Sequence, residues 1–391
     1  MAKKSILIIA PADLSRNDGP KVHITNLVRE IRNLGTKVKC ILYKPQESNY
    51  EPIGAGVEVR FIPNPLFGSN FARAIKYLFI IPVIIWEIFL FKPTIVYFEF
   101  TPPVFLYILV LKSLKIFPDV FKITIELHDW VPEQRAIQGE SAFKVKIIET
   151  FLLGSARMAD FIKVVAKGIK DRLKANGVNQ EKIAVIGNGT DIELFNPMDR
   201  REAKKRIGLK PDYNYVGFIG NFAIWQGLDY LIQAIPHVLG VCDNVGFLLI
   251  GDGPEMPKIR KEISRFKDDE VILTGRVPYK EASKYINAFD IGVAPFLEKR
   301  NSGMVSPLKI CDYAACGVPI VSTRIKGLEI VEEEGIGILV PPDDPEVLAD
   351  AIIRLLKKPE MREEMGKNGR KVAEEKFTWK KIAKRILELV F

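Results

Sequence analysis

Two places in the chain bring together groups that can hold protons or anions. The first is His128-Asp129, directly after the apolar run Lys122–Leu127. An imidazole beside a carboxylate can bind hydroxyl groups and exchange protons near neutral pH. The chain has three histidines in 391 residues, so the position of this one is informative; a histidine that only packs is the plainer alternative. The second is Ser306-Pro307-Leu308-Lys309, followed by Asp312. Ser306 suits a helix N-cap and Pro307 a first turn. The amides of Leu308 and Lys309 would then open a helix whose positive end, with the Lys309 ammonium beside it, suits a diphosphate. Asp312, one turn later on the same face, suits the two hydroxyls of a ribose. A capped structural helix would carry the same signals.

Three glycine-bearing loops accompany these groups. Gly19 stands before the first helical segment, Gly220 to Gly227 follows a strand-like run, and Gly251-Asp252-Gly253-Pro254 follows another. Glycine allows a phosphate or sugar to approach the backbone closely. In open parallel sheets, ligands bind at the C-terminal ends of strands, where such loops lie.

Strand-like runs alternate with helix-period segments along the whole chain, the pattern of βα units in parallel sheets. In the first half the expected strands are Ser5–Ala10, Lys37–Tyr43, Val57–Ile62, Thr94–Phe98, Lys122–Leu127, Phe161–Val165 and Lys182–Ile186. In the second they are Tyr215–Ile219, Gly246–Ile250, Glu270–Leu273, Ile291–Ala294, Pro319–Ser322 and Ile338–Val340. Pro20 suits the first turn of the first helix and Gly35 its end, and the last helix spans roughly Trp379 to Val390. The turn-rich stretch Asn188 to Pro211 reads as a linker. The expectation is an α/β chain of two Rossmann-like domains, 1–190 and 191–378.

Length and composition agree with two globular domains: 391 residues, 48% hydrophobic and 27% charged. Cys40, Cys242, Cys311 and Cys316 are scattered without a CxxC pair, so they read as reduced core thiols rather than zinc ligands or a disulfide framework. The start, MAKKSILIIAPAD, has too short an apolar run for a signal peptide, which points to a cytoplasmic protein. Met1 to Thr190 carries 26 Lys+Arg against 17 Asp+Glu, while Asp191 to Phe391 carries 31 of each. A basic half can attract anionic headgroups, phosphorylated acceptors or nucleic acid, with a Lys-rich solvated surface as the equal alternative; without an RNP-like or helix-turn-helix pattern nucleic acid is not expected. Tyr77–Phe91 and Val104–Leu111 are strongly apolar, yet one is broken by Pro82 and Glu87 and the other is short. They read as buried helices, with a membrane-surface helix flanked by Arg73, Lys76, Lys112 and Lys115 as the alternative, and the two can coexist on different faces. Peripheral contact with the inner membrane surface fits the second reading.

Taken in order, these landmarks resemble the GT-B glycosyltransferases, specifically the retaining family 4. The residues that carry the resemblance are Gly19-Pro20 with His23, His128-Asp129, Asn188-Gly189-Thr190-Asp191, Gly220 to Gly227, Gly251-Asp252-Gly253-Pro254, Thr274-Gly275-Arg276-Val277-Pro278, and Ser306 to Lys309 running through Asp312 to Pro319. The resemblance implies a metal-independent hexosyl transfer from a nucleotide-sugar to a glycan, lipid-linked or small-molecule hydroxyl acceptor. It implies the base near Val277, the ribose at Asp312, and the diphosphate at Gly220, Leu308 and Lys309, with Gly19 and His128 facing the sugar and the last helix, 379–391, returning to the first domain. Asn221 and Gln226 stand where family members commonly carry Arg and Lys, and Met304 and Asp312 stand at its paired glutamates. Lys309 and Arg300 are the candidates to restore the missing positive charge.

No cofactor is implied beyond the nucleotide-sugar as co-substrate, and the chain contains no Asp-x-Asp motif for a bridging metal. A nicotinamide dehydrogenase would need GxGxxG after a strand, but Met256 occupies the third position after Gly251 and Gly253. A nucleotide-sugar-binding protein without transfer activity and a nucleotide-sugar epimerase are the alternatives.

Overall fold

A computed structural model describes residues 4–15, 19–46, 52–54, 56–64, 70–113, 121–297 and 307–391, with the backbone alone for 70–76. The chain divides into two compact units, Met1–Gly187 with Trp379–Phe391, and Asn188–Thr378. Arg300, Met304, Ser306 and Lys115, and the side chains of Arg73 and Lys76, lie outside the described residues.

The first unit runs β1 (Ser5–Asp13), α1 (Gly19–Asn33), β2 (Lys37–Tyr43), β3 (Glu58–Ile62), α2 (Asn70–Phe91), β4 (Ile95–Glu99), α3 (Val104–Ser113), β5 (Lys122–Leu127), α4 (Val131–Ile137), α5 (Ala142–Met158), β6 (Phe161–Val164), α6 (Lys167–Ala175) and β7 (Ile183–Val185). All seven strands are parallel, in the order β3-β2-β1-β4-β5-β6-β7. β4 is buried along its whole length and β5 along all but its first residue, as expected when helices cover both faces of a parallel sheet. β1 runs three residues beyond its expected end at Ala10, with a register shift between Ile9 and Asp13.

The second unit runs α7 (Arg200–Arg206), β8 (Asn214–Asn221), α8 (Leu228–Val241), β9 (Val245–Asp252), α9 (Met256–Ile263), β10 (Val271–Gly275), α10 (Tyr279–Asn287), β11 (Ile291–Ala294), α11 (Leu308–Ala315), β12 (Ile320–Thr323), α12 (Ile330–Glu333), β13 (Gly337–Val340), α13 (Pro345–Leu356) and α14 (Pro359–Lys376). Its strands order as β10-β9-β8-β11-β12-β13, all parallel. One apolar layer joins the sheet to α8, α9 and α13 through Leu231, Ile235, Ile259 and Ile352; the other joins it to α10, α11 and α14 through Ile286, Tyr313 and Val372. Both units are therefore α/β with parallel sheets. In each, the strand order reverses beside the first strand, which is where open sheets leave a crevice.

The stretch Asn188 to Pro211 is not a free linker. It contains α7, buries Thr190 and Phe195, and belongs to the second unit. A segment rich in turn and charged residues can still fold when its few apolar side chains find a core. After it and the rest of the second unit, α15 (Trp379–Val390) completes the first unit by packing Trp379, Ile382, Ala383, Ile386 and Val390 inward, against α1 among others. That spacing is one helical face.

Candidate functional site

In the first unit, β4, β5 and β6 place charged side chains side by side. Glu99 pairs in register with Glu126, and Glu126 with Lys163, so the three share one face of the sheet. His128 lies two residues beyond Glu126, and its Nε2 is 2.9 Å from Glu99 Oε1 and 3.4 Å from Glu126 Oε1. Above this row, α1 contributes His23, whose Nε2 is 3.1 Å from Glu126 Oε2. Tyr97 donates its hydroxyl to the same oxygen at 2.6 Å, and the Lys163 ammonium closes on Glu126 Oε1. The two imidazoles meet edge to face at 4.4 Å between centroids, and the Trp379 ring of α15 stands 5.2 Å from that of His23, also edge to face.

Glu99, Glu126, Lys163 and His23 are buried, while the His128 side chain keeps 34% exposure and is the member that reaches solvent. Buried charges must be paired to persist. Burial works against ionisation of Glu126, but His128, His23 and Lys163 outweigh it and hold its carboxyl well below the usual range. Burial would also lower His128, yet Glu126 and Glu99 raise it above an ordinary imidazole. For His23 burial prevails, and its proton affinity is lowered. Two carboxylates against one ammonium leave one negative charge, which a proton on His128 cancels. The partially exposed imidazole is thus set up to hold a proton at a surface a ligand can reach, and to donate it as a hydrogen bond.

Donor atoms of His23, Glu99, Glu126 and His128 all lie within 4.8 Å of one another, the one such group found among the described residues. Two histidines and two carboxylates are a zinc-like donor set. Here Lys163 and Tyr97 already occupy both oxygens of Glu126, and the Lys163 ammonium supplies positive charge from the protein itself.

In the second unit, β8 and β9 end in register, with Gly220 opposite Gly251 and Asn221 opposite Asp252. Gly251 has φ +140°, and a Cβ there would stand 1.8 Å from the Gly220 carbonyl oxygen, so only glycine permits the two loops to close together. The buried Lys309 side chain of α11 reaches this loop. Its Nζ donates to Gln226 Oε1 at 2.8 Å, lies 3.6 Å from the centroid of Phe218, and would be 3.0 Å from a Cβ at Gly220. A cation held on an aromatic face beside a glycine backbone suits an anion whose oxygens need both charge and close approach.

Asp312, one turn further along α11, is half-buried and accepts the Thr190 hydroxyl at 2.7 Å. Burial, with Asp191 nearby, pushes its carboxyl up to about 7 against the opposing hydrogen bond. Val277 follows β10 and is partly buried against the core.

The structure brings Gly220, Gln226 and Lys309 together, with Gly251 and Asn221 on the adjoining strand ends, and sets Asp312 on the Thr190 turn instead. The N-cap of α11 is Pro307, in extended conformation without a side-chain cap, one residue later than expected, so Pro307 is not a first-turn residue; Ser306 lies outside the described residues. In the first unit, Gly19 is the exposed first residue of α1, and Asp129 accepts hydrogen bonds from Trp130 N and Gln134 Nε2 at the start of α4.

Sequence reading missed Glu99, Glu126, Lys163 and Tyr97. For the first three the signal was a charge in each of three successive apolar strands, YFE, ITIEL and FIKV, whereas Tyr97 carried none. Charges seldom enter buried strands unless they are paired.

The model for Glycosyltransferase Family 4 matches residues 17–194 and that for Glycosyl transferases group 1 matches 213–358, together most of the chain. An uncharacterized glycosyltransferase of Methanocaldococcus jannaschii is 31% identical over 225 residues, 57% of this chain and 57% of the relative. The match spans about half the length of the curated relatives. A sucrose-phosphate synthase from Thermosynechococcus elongatus superposes with a TM-score of 0.82 at 20% identity, over 99% of this chain and 98% of that one. HepE of Anabaena, solved with UDP and glucose, gives 0.75 at 18% identity over 98% of each chain. Both likenesses show the GT-B fold.

Proposed function

Because the chain belongs to the group 1 glycosyl transferases, we propose that it transfers a hexose from a nucleotide-diphosphate sugar to a hydroxyl acceptor, with retention and without a metal ion. The observation that carries this reading is the Lys309 ammonium, held beside Gly220 and Gln226 at the end of β8. A diphosphate leaving there gains negative charge in the transition state. A preorganised cation stabilises that charge by several kcal/mol where solvent is excluded. The role implied for cations at positions 221 and 226 is thereby taken by a side chain from α11.

In this reading Gly251 and Asn221 shape the same loop, the amides of Leu308 and Lys309 add donors from the helix start, and Asp312 and Val277 serve ribose and base. His128 in the first unit offers a proton or hydrogen bond to the sugar. The conjugate acid, whose Nε2 is held by Glu99 and Glu126, would act through its Nδ1 without forming a covalent intermediate.

The test is calorimetry against UDP-, GDP- and ADP-sugars, followed by transfer to candidate acceptors with the product's anomeric proton read by NMR. The expected result is binding of one donor class, transfer with retained configuration, and the same rate in excess EDTA. Donor binding without transfer to any acceptor would favour a binding protein, a reading that the neutral Asn221 and Gln226 support. Inversion, or loss of rate with EDTA, would remove the corresponding part of the proposal.

A further inference from the structure

The outer face of α2 is apolar where a solvent-facing helix should be polar. Leu78, Phe79, Pro82, Trp86, Phe89 and Leu90 are all exposed, four of them by 57 to 68%. Their spacing of three and four residues makes one continuous stripe along the helix. The polar residue of this segment points the other way: Glu87 is buried and paired with Lys39 of β2 at 2.7 Å, in line with inward-facing Ile80, Ile84 and Ile88. Water-soluble helices show the reverse arrangement, and a contiguous exposed apolar patch marks a contact surface.

The neighbouring helices also expose apolar side chains. α3 packs beside α2 and against α5, where Phe105 stacks on Phe151 at 5.1 Å. α3 exposes Leu109, and α5 exposes Phe143 by 76% and Ile147 by 39%. Basic side chains edge these helices: Lys92 and Lys112 after α2 and at the end of α3, Lys144 and Lys146 on α5, all exposed, with Lys112 paired to Asp160, Lys144 to Glu140 and Lys146 to Glu149. Lys37 lies over the Phe91 ring at the end of α2. The whole unit holds 30 Lys+Arg against 18 Asp+Glu, while the other holds 27 against 30.

We infer that the outer face of α2, with the adjoining parts of α3 and α5, lies in the headgroup layer of an anionic lipid surface. Among the described residues no helix is long and apolar enough to cross a membrane. A helix with exposed Trp and Phe, Leu on the same face and lysines at its edge instead lies in the plane of the interface. The charge decides between lipid and a second copy of the chain. A unit with this excess of positive charge repels its own kind and is drawn to an anionic surface. The inference goes beyond the transfer reading and stands without it.

The test is flotation of the full chain with phosphatidylcholine vesicles, with and without phosphatidylglycerol, beside the variant Phe79→Ser/Trp86→Ser/Phe89→Ser. The wild type should float with anionic vesicles, and the variant should bind about tenfold or more weakly, since each lost aromatic removes buried apolar area. Circular dichroism establishes that the variant is folded. If it is not, Trp86→Phe preserves the test: brominated lipid should quench wild-type tryptophan fluorescence and quench this variant distinctly less. Failure of the wild type to bind anionic vesicles, or equal binding by a folded triple variant, would overturn the inference. So would a concentration-dependent dimer abolished by the triple variant, which would assign the stripe to a second copy. Donor binding measured in parallel should be the same in all variants, so failure here is distinct from failure of the proposed transfer.

Discussion

Glu126 and Lys163 are cross-strand neighbours on β5 and β6, and the Lys163 ammonium closes on the Glu126 carboxylate with neither side chain reaching solvent. Burying such a pair costs desolvation of both charges, and removing one partner leaves the other uncompensated. Glu126→Gln should therefore lower unfolding free energy by about 3–5 kcal/mol, and adding Lys163→Met should recover much of the loss. Denaturant midpoints of the single and double variants check this, and an unaltered midpoint for the single variant would show the pair to be dispensable.

His128 should matter more to turnover than to donor affinity. Its imidazole reaches solvent from a row of buried partners, with 34% of the side chain exposed. Under the proposed function, His128→Ala is expected to reduce kcat by about 100-fold or more, the scale of a lost general acid or hydrogen-bond donor, with donor Kd nearly unchanged. Normal turnover in a variant with a lowered Tm would make the residue structural.

The same histidine predicts a pH dependence of stability. Its folded pKa is raised above the ordinary 6.5, so its contribution is complete below 6.5 and is lost as pH rises through the folded value. Glu126, with its folded pKa depressed, contributes above the ordinary carboxylate range and loses that contribution only in strong acid. His23 remains neutral more readily than usual, and it opposes folding as pH falls below 6.5. Also facing the row, Glu99 and Lys163 are the remaining charges. His128→Gln should thus flatten the decline of Tm on the alkaline side of 6.5; an identical profile in the variant would contradict the assignment.

Lys309→Ala should weaken donor binding by about 1.5–3 kcal/mol, the usual worth of a hydrogen bond to a charged group. Lys309→Arg should restore only part, because a planar fork does not replace a point charge between Gln226 and Phe218. Calorimetry with the bound nucleotide-sugar reads both.

Asp312 carries the opposite sign to an ordinary surface carboxylate. With its folded pKa pushed up to about 7 from 3.8, it favours the folded state most at low pH and loses that contribution as pH rises through about 7. Asp312→Asn should make the unliganded protein relatively more stable above that pH. If the carboxylate accepts ribose hydroxyls, wild-type donor affinity should increase across the same interval and the variant's should be lower and flat. Isothermal titrations between pH 5.5 and 8.5 distinguish the two.

Strand positions were readable because apolar runs and their turn residues are local signals, and several, such as Lys37–Tyr43 and Lys122–Leu127, coincide with the observed elements. Lys309 was readable as a cation near a helix start. Its contact with Gln226, 83 positions away in sequence, was not, because that depends on how β8 and α11 are brought together. The Glu99–Glu126–Lys163 row escaped for the same reason: each charge looks anomalous alone, and only the register of three strands makes them partners. α2 was the reverse case. Its hydrophobicity was plain, but only burial shows that the polar Glu87 faces inward and the aromatics outward.

Trp379 against His23 has a consequence for the order in which the protein is made. The ribosome delivers every strand of the first unit, then all of the second, before the helix that begins at Trp379 leaves the exit tunnel. Until then the first unit has its strands but lacks the tryptophan beside His23. Loop-closure entropy grows slowly with length, so the long insertion is thermodynamically tolerable. Kinetically, His23 gains Trp379 as its neighbour only after the whole of the second unit has been synthesised.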